Sequence, residues 1–161
     1  MTNRSHQENI ARCVAVVLAL DEGTVQAFCK GNPFDKLLRS FDEFSAVGQP
    51  LYRREAGKRH YKMSVAAYNS GLPAKDLYGE HTTPISCLIK KLLASDRSEA
   101  TVLNLLRENE VVLITKEEAR FLDRSRKNGG LGLKSSLPLG GGCRLCAAGI
   151  VLAPETLNNV L

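Results

Sequence analysis

E-V-V-L-I-T-K-E-E-A-R-F-L-D, residues 110–123, is the stretch on which the fold class turns. Glu110 to Ile114 is an apolar, β-branched run of strand length, short enough for a buried strand. Thr115 and Glu118 then have the spacing of a capping box, in which the hydroxyl accepts from the third helical amide and the carboxylate reaches back to the cap. A strand that passes at once into a capped helix predicts a mixed α+β fold. The helix is expected to run to about Asp123 with Phe121 and Leu122 inward.

Upstream, Ser98 caps a helical series with Val102, Leu103 and Leu106. Before it, Thr83 is a cap and Pro84 a first helical residue for a stripe of Ile85, Leu88, Ile89, Leu92 and Leu93. His60 to Val65 reads as a strand, entered from a basic hairpin or loop at Arg53 to Arg59 and followed by the breakers Asn69 to Pro73. Alternation would put Tyr61, Met63, Val65 and Ala67 on one face and His60, Lys62 and Ser64 on the other. Gly48-Gln49-Pro50 is a turn, and Pro33 opens a helix whose Phe34, Leu37, Leu38, Phe41 and Phe44 share one stripe. The first apolar series is Ile10, Cys13, Val14, Val17 and Leu18; it suits a helix capped by Ser5 or Asn9 and stopped by Asp21-Glu22-Gly23, and equally a buried strand.

Downstream, Arg124 to Gly130 and Gly140 to Gly142 read as surface loops around an extended piece at Leu131 to Leu139, and Ala147 to Ala153 as a last strand or docked edge segment. No repeat, heptad or long linker divides the chain. The expectation is one α+β domain over 1–161, with several helices, a small sheet and an embedded ββα-like metal site at 78–124.

Composition fits that expectation. With 161 residues, 43% hydrophobic and 24% charged, the chain has the apolar content of a folded domain and excludes a disordered segment. The longest apolar run, Val14 to Leu20, is too short to span a bilayer, and five dispersed cysteines with a single C-x-x-C suit a reduced, cytoplasmic setting. No phosphate-binding glycine fingerprint occurs, so a nucleotide cofactor has no support. The net charge of +5 is uneven: residues 1–50 hold five Lys/Arg to six Asp/Glu, 51–100 hold nine to five, and the remainder eight to six. An excess gathered in this way favours a phosphate-bearing partner.

Histidine is scarce, with only His6, His60 and His81. His81 follows Glu80 and precedes a capped helix, so a carboxylate for a divalent cation lies beside an imidazole that could take a proton from water. Glu80-His81 in G-E-H-T-T-P-I-S, Asn109 in N-E-V-V-L-I and Glu118 in T-K-E-E-A-R-F-L together resemble a His-Me finger, or HNH-like, nuclease. The resemblance covers about residues 78–124. It implies DNA phosphodiester hydrolysis, with His81 activating water, Asn109 orienting the histidine or supporting its loop, and Glu80 with Glu118 holding Mg2+ or Mn2+ against the phosphate. Members of that family usually have histidine where this chain has Glu118, and the helix between His81 and Asn109 is a large insertion.

Two basic clusters flank this segment: Arg53, Arg54, Lys58, Arg59 and Lys62, and Arg120, Arg124, Arg126 and Lys127. They would attract a DNA backbone independently of sequence. Tyr52, Tyr61 and Tyr68 lie among the first cluster and read as sheet or core residues before base-stacking ones. Cys143-Arg144-Leu145-Cys146 would need two further ligands to hold zinc and lacks the strand-to-helix setting of a redox motif. Two other functions fit the same residues: a noncatalytic nucleic-acid-binding protein, and an interaction or regulatory domain, as a homodimer or with a protein partner, using helices 33–44 and 84–94.

Overall fold

Ser5 starts the first helix by a reciprocal pair of bonds: its hydroxyl accepts from the Glu8 amide, and the Glu8 carboxylate accepts from the Ser5 amide at 2.7 Å. In the computed structural model, which describes residues 4–154 (the side chain of Asn32 apart), eight α-helices follow in order. They are α1 (His6–Leu18), α2 (Glu22–Lys30), α3 (Asn32–Glu43), α4 (Val65–Asn69), α5 (Ile85–Ala94), α6 (Glu99–Glu108), α7 (Lys116–Asp123) and α8 (Arg144–Ala147). Three short strands, β1 (Lys62–Met63), β2 (Tyr78–His81) and β3 (Val111–Ile114), form one sheet in the order β1-β3-β2. The α+β class with several helices and a small sheet is therefore what the sequence led us to expect.

The chain divides into two compact units, each assembled from two segments: Met1–Pro50 with Leu88–Asn109, and Leu51–Cys87 with Glu110–Leu161. The first unit is helical. Helix α1 packs on α3 and α6, and α2 packs on α3. Its core includes Val14, Leu18, Val25, Phe34, Leu38, Leu92, Val102 and Leu106, all nearly or fully buried. Burial of each such side chain contributes roughly 1.5–3 kcal/mol. Asp21 is not only a stop, as the sequence suggested: its carboxylate accepts from the Thr24 amide at 3.0 Å and opens α2, a helix the hydrophobic pattern does not reveal. The residues that end one helix here cap the next.

The second unit is built around β3. Parallel pairing sets Met63 beside Leu113, and antiparallel pairing sets Glu80 beside Val112 and His81 beside Val111. Because side chains alternate along a strand, Leu113 joins Tyr61, Met63, Ala67 and Leu77 on one face, while Val112 and Ile114 join Ala119, Leu122, Leu133, Leu145 and Ile150 on the other. Chain beyond α8 docks along β1: the Val65 amide donates to the Val151 carbonyl and the Ala153 amide to that of Met63, so the last segment is a docked edge.

Of the hairpin or loop expected at Arg53 to Arg59 the structure has the loop, with 3-10 turns over Glu55–His60. Two local expectations are corrected. The strand expected over His60–Val65 shrinks to Lys62–Met63. Ser64 stops it by capping α4, its hydroxyl accepting from the Ala67 amide at 3.0 Å. Val65 consequently leaves the face of Tyr61 and Met63 and is exposed. In α7 the capping box is present as expected, but only Ala119 and Leu122 face inward, and Phe121 is 42% exposed. An eight-residue helix presents one pair of positions three apart to the core, and Phe121 lies a hundred degrees off it.

Candidate nucleic-acid interface

Strand β2, strand β3 and helix α7 do follow one another in strand, strand, helix order, with α5 and α6 between the strands. Within that frame each expected site residue has a definite environment. Glu80 and His81, adjacent on β2, point to opposite faces of the sheet. Glu80, 5% exposed, forms an ion pair with the buried Arg144. The same guanidinium donates to the His81 carbonyl at 3.0 Å and to the Leu133 carbonyl at 2.9 Å, so Arg144 ties β2, α8 and the 131–134 segment together. His81 itself is 6% exposed.

Glu118 closes the start of α7. One of its oxygens accepts from the Thr115 amide and from the Ser64 hydroxyl, both at 2.8 Å. Asn109 is the buried C-cap of α6, its amide donating to the Leu106 carbonyl, and belongs to the first unit. Among the described residues no group of three or more His, Cys, Asp or Glu side chains is placed to hold a metal ion. Of the carboxylates expected to hold Mg2+ or Mn2+, that of Glu80 is paired with a guanidinium and one oxygen of Glu118 is taken by protein donors, whereas a hard cation needs free oxygens. Cys143 and Cys146 flank the first turn of α8 and contact each other through their thiols, and this contact, with burial second, pushes the Cys146 thiol up from its ordinary pKa.

The basic residues separate into two kinds. Lys62 is held by both oxygens of Glu110, at 2.7 and 2.8 Å, and Lys58 donates to the Leu72 carbonyl at 2.7 Å. Both are therefore occupied by the fold. Arg53, Arg54, Arg59, Arg124, Arg126 and Lys127 are exposed and have no carboxylate partner among the described residues. Arg53 lies over the Tyr52 ring, 5.5 Å from its centroid, in a left-handed backbone conformation with φ of 61°.

An open groove of about 530 Å³ lies along α7, lined by Tyr78, Lys116, Ala119, Arg120, Asp123, Arg124 and Lys134. Lys116, Arg120 and Arg124 are spaced four apart and so stand in one row on the helix surface. Lys134 is brought to it because the amides of Leu131, Gly132 and Leu133 donate to the carbonyls of Phe121, Arg124 and Leu122, satisfying the open end of the helix. Sequence reading took Arg120 and Arg124 as part of a cluster with Arg126 and Lys127, and missed Lys116, Lys134 and Tyr78. The four-residue spacing was a visible signal for Lys116; nothing local marks the other two.

No family model, no curated protein and no solved structure matches the chain. Among the described residues no helix is long and apolar enough to cross a membrane.

Proposed function

We propose that the chain is a noncatalytic nucleic-acid-binding protein whose second unit engages the phosphate backbone of DNA. One observation carries this reading. The unit formed by Leu51–Cys87 and Glu110–Leu161 contains thirteen Lys/Arg and eight Asp/Glu, whereas the helical unit contains nine of each, so the whole net charge of +5 belongs to one of the two. Within that unit Arg53, Arg54, Arg59, Arg124, Arg126 and Lys127 are exposed and have no carboxylate partner among the described residues. Unpaired surface cations release counterions from a polyanion on contact, and that release drives binding independent of base sequence.

Fluorescence anisotropy with labelled duplex DNA at rising salt tests this. Affinity should fall linearly in log–log form, and replacing Arg126 and Lys127 by Glu should weaken it and flatten the slope by about one unit per lost contact. Affinity that ignores salt, or survives both charge reversals, refutes the proposal.

Hydrolysis by an HNH-like site is the second reading, favoured by the strand, strand, helix order of β2, β3 and α7 and by His81 on its first strand. The commitment of Glu80 to Arg144 weighs against it. A plasmid-nicking assay with Mg2+ or Mn2+ decides: cleavage that disappears with His81→Ala supports the second reading, and no cleavage by the unaltered protein rejects it.

A further inference from the structure

We infer that the groove along α7 seats a single-stranded segment of nucleic acid, with one base stacked on Tyr78 and its phosphates held by the row Lys116, Arg120, Arg124 together with Lys134. The inference rests on the nucleic-acid reading and narrows it to a substrate class. At about 530 Å³ the groove has the volume of a small-molecule site, ample for a nucleotide and its neighbours. Four of its seven lining side chains are cationic and one is anionic. Lys116 and Arg120 have only loose ion pairs, each at 3.6 Å, with Asp76 and Glu117, and all these groups are solvent-accessible, so a phosphate can compete for them. Arg124 and Lys134 have no ion pair among the described residues.

Tyr78 makes the occupant single-stranded. It begins β2, the residue is 39% exposed, and it stands in the wall of a basic concavity. A duplex keeps its base faces stacked on one another and offers such a groove only phosphates and base edges. An unpaired strand can turn a base face onto an aromatic ring while its backbone follows the cations, and this combination of stacking and charge is tolerant of sequence. Ala119 supplies a small apolar floor between the cations, and the Asp123 carboxylate disfavours a phosphate at its position while accepting from base N–H groups.

The test is a pair of titrations, with a short labelled single strand and the corresponding duplex, run with DNA and again with RNA. Tyr78→Ala should lower the preference for single strand over duplex about tenfold, as expected for the loss of one stacked base, and Tyr78→Phe should restore it. Lys134→Ala should lower the single-strand salt slope by about one unit. Equal weakening of single strand and duplex by Tyr78→Ala, or an unchanged preference, overturns the groove assignment while leaving backbone binding in place. Failure of the unaltered protein to bind either form overturns the nucleic-acid reading itself. Better binding of RNA or DNA identifies which single strand the groove accepts, and both outcomes uphold it.

Discussion

Replacing Arg144 by Met removes the cation from a buried ion pair without leaving a large hole. Arg144 and Glu80 are 3% and 5% exposed, so the variant strands a carboxylate in the apolar surroundings of Val112, Leu133 and Leu145. Breaking a buried pair from one side costs about 3–5 kcal/mol. The His81 and Leu133 carbonyls also lose their guanidinium donor, each worth about 1 kcal/mol net where water cannot replace it. Allowing for non-additivity, Arg144→Met should destabilise the protein by about 5 kcal/mol, a large share of the roughly 5–15 kcal/mol that holds a domain folded. The double variant Glu80→Leu with Arg144→Met removes the stranded charge and retains only the carbonyl loss, so it should cost about 2 kcal/mol. Urea unfolding gives both values, and amide hydrogen exchange at Gly79 and Val112 assigns the loss to the sheet of the second unit. A single variant within about 1 kcal/mol of the unaltered protein, or a double variant no better than the single, refutes the view that the pair organises β2, α8 and the 131–134 segment.

Gly57→Ala should destabilise the protein by about 1–3 kcal/mol in the same urea assay, because a Cβ there would meet the Leu51 carbonyl at 2.1 Å and displace the Arg54 amide bonded to it; unchanged stability would show that Leu51 yields freely. Hydrogen bonds from Ser5, Thr24 and Ser98 hold the carboxyls of Glu8, Asp21 and Asp96 below their ordinary range. Since their folded pKa values are depressed, the stabilisation is present above about pH 4 and is lost as pH falls through the lower folded values. Helicity followed by circular dichroism on acid titration should therefore fall less steeply with Asp21→Asn and Asp96→Asn together, and an identical titration curve would contradict this. The Cys143 thiol raises the pKa of Cys146, so Cys143→Ala should speed alkylation of Cys146 at mildly alkaline pH, measured by mass spectrometry, and an unaltered rate would show that the contact does not govern the thiolate.

What the sequence disclosed was what acts over three or four residues. Thr115 and Glu118, the cap Ser98, and the stripe of Phe34, Leu38 and Phe41 all act within a turn or two of helix, so spacing alone located them. Asp21 defeats this reading because an acidic residue beside glycine serves equally as a stop and as a cap. Ser64 defeats it because a β-patterned run yields to one hydroxyl that can bond the backbone three residues on. The candidate site was harder to read. Glu80 is legible as a carboxylate beside a histidine, but its partner lies in a C-x-x-C motif that drew attention to its cysteines and not to the arginine between them. Likewise the row on α7 is periodic, whereas Tyr78 and Lys134 join it only through the strand pairing and the helix-end bonds of residues 131–133.

The division of each unit into two separated segments has a consequence for how the protein is made. On a ribosome the helical unit cannot close when residue 50 has emerged, because α6, against which α1 packs, follows only at Glu99–Glu108. The second unit waits longer still, since β1 lacks its central neighbour until Val111–Ile114 is synthesised and its edge partner until Leu152 and Ala153. Early helices must therefore persist with open apolar faces while the intervening chain is added, a period in which they are exposed to aggregation. Ser5 and Asp21, each capping an early helix of the first unit through bonds only three residues long, are available from the start of that interval and need no distant partner.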